Sequence, residues 1–171
     1  IGLLPWAEVA ERTGPPAAGL KWLLSDDFNG FPPRRPAESH KGAFGHLAVI
    51  AGSMGFHGAA VLAARGALRA QPGLVSLYPQ ESVYHPVAAQ SQAAMVHPWT
   101  PGVRLPETAT AILMGPGLAA KDLSPALKNE LRSHWNESPL PVVADASCLD
   151  WLPPGTVSRS PLRVMTPHPG E

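Results

Sequence analysis

The feature that most constrains the fold is a strand, loop and helix pattern over residues 47–70. Residues 47–51 form an apolar run without alternation, which is typical of a parallel strand covered on both faces. Glycines then recur at every third position from Gly52 to Gly58, and an alanine-rich segment predicts a helix over 58–70. The N-terminus of that helix presents unpaired amides and a positive dipole end to the loop, which favours an anion.

Two familiar phosphate-binding motifs are excluded for this loop. A P-loop ends in Gly-Lys-Ser or Gly-Lys-Thr, and the chain has no lysine between Lys41 and Lys121. The glycine spacing is G-x-x-G-x-x-G and not the G-x-G-x-x-G of dinucleotide-binding proteins. A tight turn without a ligand therefore stays open as an alternative.

The alternation of strands and helices continues to the end of the chain. Further strands are predicted over 73–78, 93–96, 110–114, 140–144 and 162–165, and further helices over 81–90 and 121–135. This order predicts an α/β fold with a doubly wound parallel sheet and flanking helices. Residues 1–38 lack a convincing strand and are predicted to be a linker or N-terminal extension of a domain that covers 39–171.

Charge and cysteine content exclude several classes of protein. The 13 basic residues balance the 13 acidic ones, so no basic field exists to attract nucleic acid or an anionic membrane. No apolar run approaches the roughly 20 residues needed to span a bilayer, and we expect a cytoplasmic protein. The single cysteine, Cys148, excludes an internal disulfide, and the histidines lack metal-ligand spacing, so no metal site is expected among the residues of this chain.

Four predicted strands end in residues that suit a binding site. They are followed by Gly52-Ser53, Gly115-Pro116-Gly117, Asp145 and the segment 166–171. Because the carboxyl ends of parallel strands share one edge of the sheet, these ends are predicted to converge on one pocket.

Individual candidates keep their alternatives. Asp145 can act at the site or cap a helix, and His168, held between two prolines, can bind a ligand or be solvated. His57 and Lys41 can contact phosphate, or they are an exposed turn residue and a strand-edge cap. Ser53 and Gly55, in the glycine loop itself, are further candidates for contacts with a bound phosphate.

Four segments in this order resemble the NAD(P)H-hydrate dehydratase family of the ribokinase-like superfamily. They read HKGAFGHLAVIAGSMGFHGAAVLAARGALR, ILMGPGL, VADASCLD and VMTPHPGE, and they span roughly residues 39–171. The resemblance implies a partial ribokinase-like domain and a lyase that dehydrates (6S)-NAD(P)H hydrate with ADP or ATP and Mg²⁺. In such an enzyme the ring hydroxyl is phosphorylated and phosphate then leaves, a reaction that depends on positioning and charge neutralisation.

The family resemblance also assigns residues. It implies that Ala59, Gly115, Gly117 and His168 border the hydrated nicotinamide nucleotide, and that Asp145 is the first aspartate of an Asp-Ala-Asp-Ala-Leu-Asn motif. The chain departs from the family pattern at five sites: the second aspartate is Ser147, the asparagine of the same motif is Asp150, the last glycine of Gly-Pro-Gly-Leu-Gly is Ala119, the glycine-rich end of the first helix is Gln71-Pro72, and a usual Pro-Glu before the Met-Val strand is Gln92-Ala93.

The same resemblance predicts that this chain is a fragment. Family members continue beyond the His-Pro-Gly-Glu motif with a lysine-containing nucleotide loop and a Gly-Thr-Gly-Asp turn, so the catalytic aspartate is expected beyond Glu171. The chain alone is therefore expected to be inactive. A homo-oligomer is expected, and residues 1–5 resemble the end of the epimerase domain that precedes the dehydratase in bifunctional members.

Two other functions remain open on the sequence. Ribokinase-like proteins also include kinases of small alcohols such as vitamin precursors, although the His-Lys-Gly and Thr-Pro-His-Pro-Gly-Glu motifs argue against that substrate class. A non-catalytic nucleotide-binding module is the third possibility, and the departures at Ser147 and Ala119 suit it.

Overall fold

A computed structural model describes residues 24–30, 34–121, 123–155 and 161–168. The chain divides into two units, Ile1–Arg35 and Pro36–Glu171. In the first unit the described part is a 3-10 turn, Ser25–Phe28, preceded by Leu24. Most of the predicted N-terminal extension, including the segment that resembles an epimerase end, lies outside the described residues.

The second unit contains a six-stranded, fully parallel sheet in the order β3-β2-β1-β4-β5-β6. Its strands are β1 (His46–Ile50), β2 (Leu74–Tyr78), β3 (Met95–Val96), β4 (Ala111–Met114), β5 (Val142–Ala144) and β6 (Arg163–Met165). Each predicted strand is present to within two residues at either end, and the predicted parallel α/β fold is confirmed.

In the described ranges three α-helices flank the sheet: α1 (His57–Arg69), α2 (Tyr84–Gln90) and α3 (Pro125–Glu137). Short 3-10 turns occur at Lys41–Phe44, Glu81–Val83 and Ala146–Trp151. Helix α3 begins four residues later than predicted, because Ser124 caps it by accepting the amide of Leu127 at 3.2 Å and Pro125 fits the first helical position. None of the helices in the described ranges is long and apolar enough to cross a bilayer.

The helices divide between the two faces of the sheet. Helices α1 and α2 pack on the first face, against side chains such as Val49 and Leu77. Helix α3 and the turn Ala146–Trp151 pack on the second face, against side chains such as Ile112. The strand registers place Leu113, Val143 and Val164 on the first face as well, since paired residues in a parallel sheet point to the same side.

A buried polar network lies at the amino ends of the strands. His46 is 4% exposed, with Nδ1 2.8 Å from Thr108 Oγ1 and Nε2 2.9 Å from Ser76 Oγ. Burial lowers the pKa of His46, and the nearby charge of His97 lowers this pKa further. Both ring nitrogens of His46 thus lie within hydrogen-bond distance of side chains in the loop before β4 and in β2. The residue lies at the amino ends of the strands, at the opposite edge of the sheet from the candidate site.

Candidate functional site

The carboxyl ends of β1 and β4 mark the point where the strand order reverses. From β1 the chain moves outward to β2 and β3, and it then returns to place β4 on the other side of β1. The loops that leave two such strands run to opposite faces of the sheet, and the crevice between them is where ligands bind in open α/β sheets. Here those loops begin at Ala51 and Gly115, so two of the predicted glycine segments lie at the reversal point.

Ser53 ties the two loops together. Its side chain is 0% exposed. The hydroxyl donates to the carbonyl oxygen of Gly117 at 2.6 Å and accepts from the amides of Ala119 at 3.2 Å and Ala120 at 3.1 Å. A serine hydroxyl has one donor and two acceptor positions, and all three are used here. The structure therefore places this hydroxyl inside the loop pair and away from a phosphate.

The glycine turn after β4 packs directly against the start of α1. Gly117 has a φ of +67°, and a Cβ at this position would collide with the carbonyl of Phe56 and lie 2.8 Å from the Cβ of Ala59. Gly115 has a φ of +117°, and a Cβ there would collide with the carbonyl of Asp145. Only glycine satisfies both the backbone conformation and the close approach. These contacts bring Gly115, Gly117 and Ala59, which the family resemblance assigns to the hydrate, to one place.

The N-terminus of α1 opens toward this turn. His57 is the first helical residue, and the first-turn amides of a helix have no earlier carbonyl within the helix to bond. The amide of Ala59 donates instead to the carbonyl of the cap residue Phe56 at 3.2 Å. A Cβ on either Gly55 or Gly58 would meet nothing within 4 Å, so the backbone is open on this side. A positive dipole end, open backbone and a half-buried imidazole together suit a phosphate or another anion.

Asp145 follows β5 and is held by hydrogen bonds to both neighbouring strand ends, those of β4 and β6. Its amide donates to the carbonyl of Met114 at 3.1 Å, and its Oδ1 accepts a 2.6 Å hydrogen bond from the hydroxyl of Thr166. The next residue, Ala146, has a φ of 54°, a left-handed conformation that costs a non-glycine residue energy and is often found at functional sites. His168 follows Thr166 by two residues and is exposed.

A groove of about 370 Å³ connects these elements on the first face of the sheet. It runs between α1 and strands β4 and β5, and its lining includes Ala59, Leu62, Leu113, Pro116, Val143 and Thr166. Thr166 and Pro116 had no individual role in the sequence analysis, although both lie in segments predicted to converge on the pocket, and the aliphatic side chains of the floor were not singled out. The signal for the first two was present, because they lie inside the Thr-Pro-His and Gly-Pro-Gly motifs.

Lys41 does not join the other candidates. It begins the turn that precedes β1, and its carbonyl packs against Gly73, which precedes β2. This position in the chain and this contact place Lys41 at the edge of the sheet formed by the amino ends of the strands. A five-residue strand is about 17 Å long, so β1 separates Lys41 from the glycine loop. The remaining eight candidates all lie in or directly beyond the carboxyl ends of β1, β4, β5 and β6.

The described residues do not by themselves fit a magnesium–nucleotide site. Among them, no group of three or more His, Cys, Asp or Glu side chains is placed to hold a metal ion. Asp145 is the carboxylate at the carboxyl edge of these strands, and one of its oxygens already accepts from Thr166. Magnesium in nucleotide sites is held by carboxylates together with substrate phosphates, and a single committed carboxylate is a poor donor set.

Comparisons with known proteins agree with this geometry. The family model described as NAD(P)H-hydrate dehydratase matches residues 47–171. The bifunctional NAD(P)H-hydrate repair enzyme Nnr of Coxiella burnetii is 34% identical over 142 residues, which are 81% of this chain and 28% of that protein. The ADP-dependent (S)-NAD(P)H-hydrate dehydratase of Bacillus subtilis is 33% identical over 145 residues, which are 81% of this chain and 50% of that protein.

Solved structures show the same relationship. The Bacillus subtilis ADP/ATP-dependent NAD(P)H-hydrate dehydratase, co-crystallised with ATP and Mg²⁺, superposes with a TM-score of 0.65 and 28% identity over 87% of this chain and 52% of that one. A ribokinase-like protein of Enterococcus faecalis, at 23% identity and a TM-score of 0.67, supports the fold alone. The chain thus spans at most about half the length of these relatives. By its family match and its relatives, this chain belongs to the NAD(P)H-hydrate dehydratase family.

Proposed function

We propose that this chain supplies the hydrate-binding wall of an enzyme that dehydrates (6S)-NAD(P)H hydrate with ADP or ATP. The observation that carries the proposal is the convergence of three elements on one groove: the turn at Gly115–Gly117, the N-terminus of α1 and the Asp145–Thr166 pair. The name of the Bacillus subtilis relative supplies the (S) epimer and the ADP dependence.

The groove suits a nucleotide that carries a reduced, partly apolar ring. Its floor consists of aliphatic side chains such as Leu113 and Val143, which can pack against a ring. Asp145 and Thr166 line the end of the groove that lies at the carboxyl ends of the strands. The positive dipole end of α1 and the open backbone at Gly55 and Gly58 suit the phosphates of the same ligand. In the proposal, Ala59, Gly115, Gly117 and His168 border the hydrate.

The other candidate residues take different parts. His57 and the backbone at Gly55 contact phosphate, and Asp145 with Thr166 contacts polar groups of the ligand. Ser53 holds the two loops together without contacting the ligand, and Lys41, in the turn before β1, lies too far away to contact it. The catalytic base and the Mg²⁺–nucleotide site belong to the half of the relatives that this chain does not match. Fusion to an epimerase domain, a homo-oligomeric state and a cytoplasmic location stay predictions.

Calorimetric titration with (S)-NADPH hydrate tests the proposal. The ligand should bind to the chain, while NADPH and the opposite epimer should bind more weakly. Ala59→Leu should weaken hydrate binding by about tenfold or more, because the added carbons enter the groove beside Gly117. Ala70→Leu is the matched control: Ala70 is exposed at the other end of α1, and the affinity should not change. Thermal unfolding of each variant checks that it is folded.

Turnover separates the remaining alternatives. The 171-residue chain alone should not form NADPH from the hydrate. Co-expression with the unmatched half of the Bacillus subtilis dehydratase, plus ADP or ATP and Mg²⁺, should restore the absorbance of the reduced nicotinamide. Phosphorylation of hydroxymethyl-pyrimidine or thiazole alcohols, with no response to hydrate, would instead identify a small-alcohol kinase. Absence of hydrate binding in the folded, co-expressed complex would favour a non-catalytic module.

A further inference from the structure

A second cavity, of about 410 Å³, lies between α1 and α2. Ala64, Arg65 and Leu68 line it from the last turns of α1, and residues 89–93 line it from the end of α2 and the segment that follows. At the rise of an α-helix, Arg65 is about 12 Å along the axis from His57, where α1 begins. This cavity, here called the Arg65–Ser91 cavity, shares no lining residue with the groove of the candidate site.

Ser91 brings a buried hydroxyl without a hydrogen-bond partner to this cavity. The residue is 7% exposed, and its Oγ atom bonds to no other group in the described ranges. The backbone of Ser91 is satisfied, because its amide donates to the carbonyl of Ala88 at 3.3 Å and its carbonyl accepts from the amide of Ala94 at 3.2 Å. A buried hydroxyl without a partner carries a cost of desolvation, which a hydrogen bond to a bound molecule removes.

Arg65 gives the Arg65–Ser91 cavity a positive charge that is not balanced. Among the described residues that line the cavity, none is acidic. The guanidinium of Arg65 forms no ion pair with a described carboxylate, and the residue is exposed. Arg69, in the last turn of α1, already offsets the negative end of the helix dipole. The charge of Arg65 is therefore left for an anion in the cavity.

Two departures from the family pattern lie in the same cavity. Gln92 and Ala93 stand where the family resemblance implies a proline and a glutamate. The chain thus lacks a carboxylate beside Arg65 and gains a backbone amide at position 92, because proline has no N–H group. Both changes make the cavity more favourable to an anion, and they are properties of this chain and not of the family.

We propose that the Arg65–Ser91 cavity binds the phosphate or carboxylate group of a small polar molecule. A guanidinium presents parallel N–H donors that match two oxygens of such a group, and the hydroxyl of Ser91 supplies a further donor. The exposed side chains of Gln90 and Gln92 line the same cavity and bind the polar remainder of the molecule. The volume of the cavity is within the range of small-molecule sites, so the ligand extends beyond its charged group.

This site goes beyond the proposed dehydration, since none of its residues is given to the hydrate. The phosphate contact proposed at the start of α1 and the Arg65–Ser91 cavity can be observed separately. The backbone amides of Ser91 and Gln92 report on the cavity, whereas those of Gly55 and Gly58 report on the start of α1.

Titration of the ¹⁵N-labelled 171-residue chain with sodium phosphate, followed by backbone amide chemical shifts, tests the proposal. The amides of Ser91 and Gln92 should shift and saturate. Arg65→Gln should weaken this binding by about tenfold or more, because it removes the charge that pairs with the anion. The matched control is Arg104→Gln, which removes the same charge from an exposed position next to Leu105 on the second face and should leave the affinity unchanged.

Two further salts define the ligand. Sodium acetate in place of phosphate shows whether the cavity prefers a planar carboxylate or a tetrahedral phosphate, and saturable binding of either supports the proposal. Sodium chloride at equal ionic strength should give no saturable shift at Ser91, because chloride cannot match the two parallel donors of a guanidinium.

Ser91→Ala separates a ligand contact from a structural role. It should weaken the binding by about threefold or more, yet it should not lower the midpoint of urea denaturation, because the hydroxyl has no partner in the protein to lose. A purely structural serine would show the opposite pattern.

Ala93→Glu tests the charge balance of the cavity. It should abolish saturable binding, because the new carboxylate competes with the anion for Arg65. Ala126→Glu is its control, since it adds the same charge at an exposed position of α3 and should leave the affinity unchanged. Circular dichroism of each variant establishes folding.

Three outcomes would overturn the proposal. They are the absence of saturable shifts at Ser91 with both phosphate and acetate, equal effects of Arg65→Gln and Arg104→Gln, and a loss of stability without a loss of affinity in Ser91→Ala. Saturable shifts at Gly55 alone would support the phosphate contact at the start of α1 and overturn the Arg65–Ser91 cavity. Saturable shifts at Ser91 alone would support the cavity and count against that phosphate contact.

Discussion

The hydroxyl of Ser53 lies 2.6 Å from the carbonyl oxygen of Gly117, to which it donates a hydrogen bond. The two residues are 64 positions apart in the chain, in the loops that follow β1 and β4. The same hydroxyl accepts two amides of the second loop. A single buried side chain therefore fixes the spacing of the two loops that form the reversal point of the sheet.

Ser53→Ala should destabilise the protein by about 1–3 kcal/mol. The substitution leaves a partly buried carbonyl and two partly buried amides without their partner, and polar groups shielded from water carry a cost of desolvation when they are unsatisfied. Urea denaturation followed by circular dichroism measures the loss. Ser82→Ala is the control, since Ser82 is exposed in the turn Glu81–Val83 and should change the free energy of unfolding by less than about 0.5 kcal/mol. Equal effects of the two substitutions would contradict the proposed role of Ser53.

Gly117→Ala and Gly55→Ala separate backbone strain from close packing. Both glycines have positive φ, so alanine at either position should cost about 1–2 kcal/mol in strain. A Cβ on Gly55 meets nothing within 4 Å, whereas one on Gly117 lies 2.8 Å from the Cβ of Ala59 and collides with the carbonyl of Phe56. The Gly117 variant should therefore be the less stable of the two and should lose hydrate binding. Denaturation and titration of both proteins check this, and equal stabilities would show that the turn can move away from α1.

Most of the fold follows from local patterns in the sequence. Each buried strand is a short apolar run bounded by glycine or proline, and the segment 58–70 has the composition of a helix that starts at a glycine loop. Parallel pairing follows because strands and helices alternate. The starts of α2 and α3 were less predictable: Pro86 confines α2 to a short helix after a 3-10 turn, and the Ser124-Pro125 pair sets the start of α3.

The location of the candidate site could be predicted from the sequence, but the roles of some of its residues could not. Topology alone brings the ends of β1, β4, β5 and β6 together, so the positions of Gly117 and Asp145 follow from strand order. The role of Ser53 depends on side-chain geometry across 64 residues, which no local pattern encodes. For Lys41 the sequence left open a phosphate contact and a strand-edge cap, and it could not show that β1 lies between Lys41 and the glycine loop and separates them across the sheet.

Gln71→Gly should be more stable than Gln71→Ala by about 1 kcal/mol. Gln71 follows the end of α1 with a φ of 57°, the left-handed conformation that glycine adopts most easily at this position. Both variants remove the same side chain, so their difference isolates the backbone term. The positive φ of Gln71 is one that glycine adopts without strain, which agrees with the glycine-rich helix end that the family resemblance implies. Thermal or urea unfolding of the pair provides the measurement, and a more stable alanine variant would contradict the assignment.

The departure at Ala119 should be tolerated, in contrast to Gln71. The backbone of Ala119 does not have a positive φ, and its amide donates to the hydroxyl of Ser53. Ala119→Gly gains nothing in backbone strain and loses conformational restriction in the unfolded chain, so it should destabilise the protein by about 0.4–1 kcal/mol. Urea denaturation of the wild-type protein and of Ala119→Gly measures the change. A stabilising effect of Ala119→Gly would mean that the family's glycine is needed for the turn itself.

The stability of the protein should fall as the pH drops below about 6.5, the ordinary pKa of histidine, and His46 should contribute to this fall. Burial lowers the pKa of His46 in the folded state, so over this range the unfolded chain binds more protons at this residue than the folded protein does. The contribution is fully present above the unfolded pKa and is lost as the pH falls through the lowered folded pKa. Urea denaturation at pH 7.5 and 5.5 (~2 pH units apart, bracketing the usual histidine pKa) measures it. His46→Asn should reduce the difference in unfolding free energy, while the exposed His40→Asn should leave it unchanged. An unchanged pH dependence in His46→Asn would assign the effect to other groups.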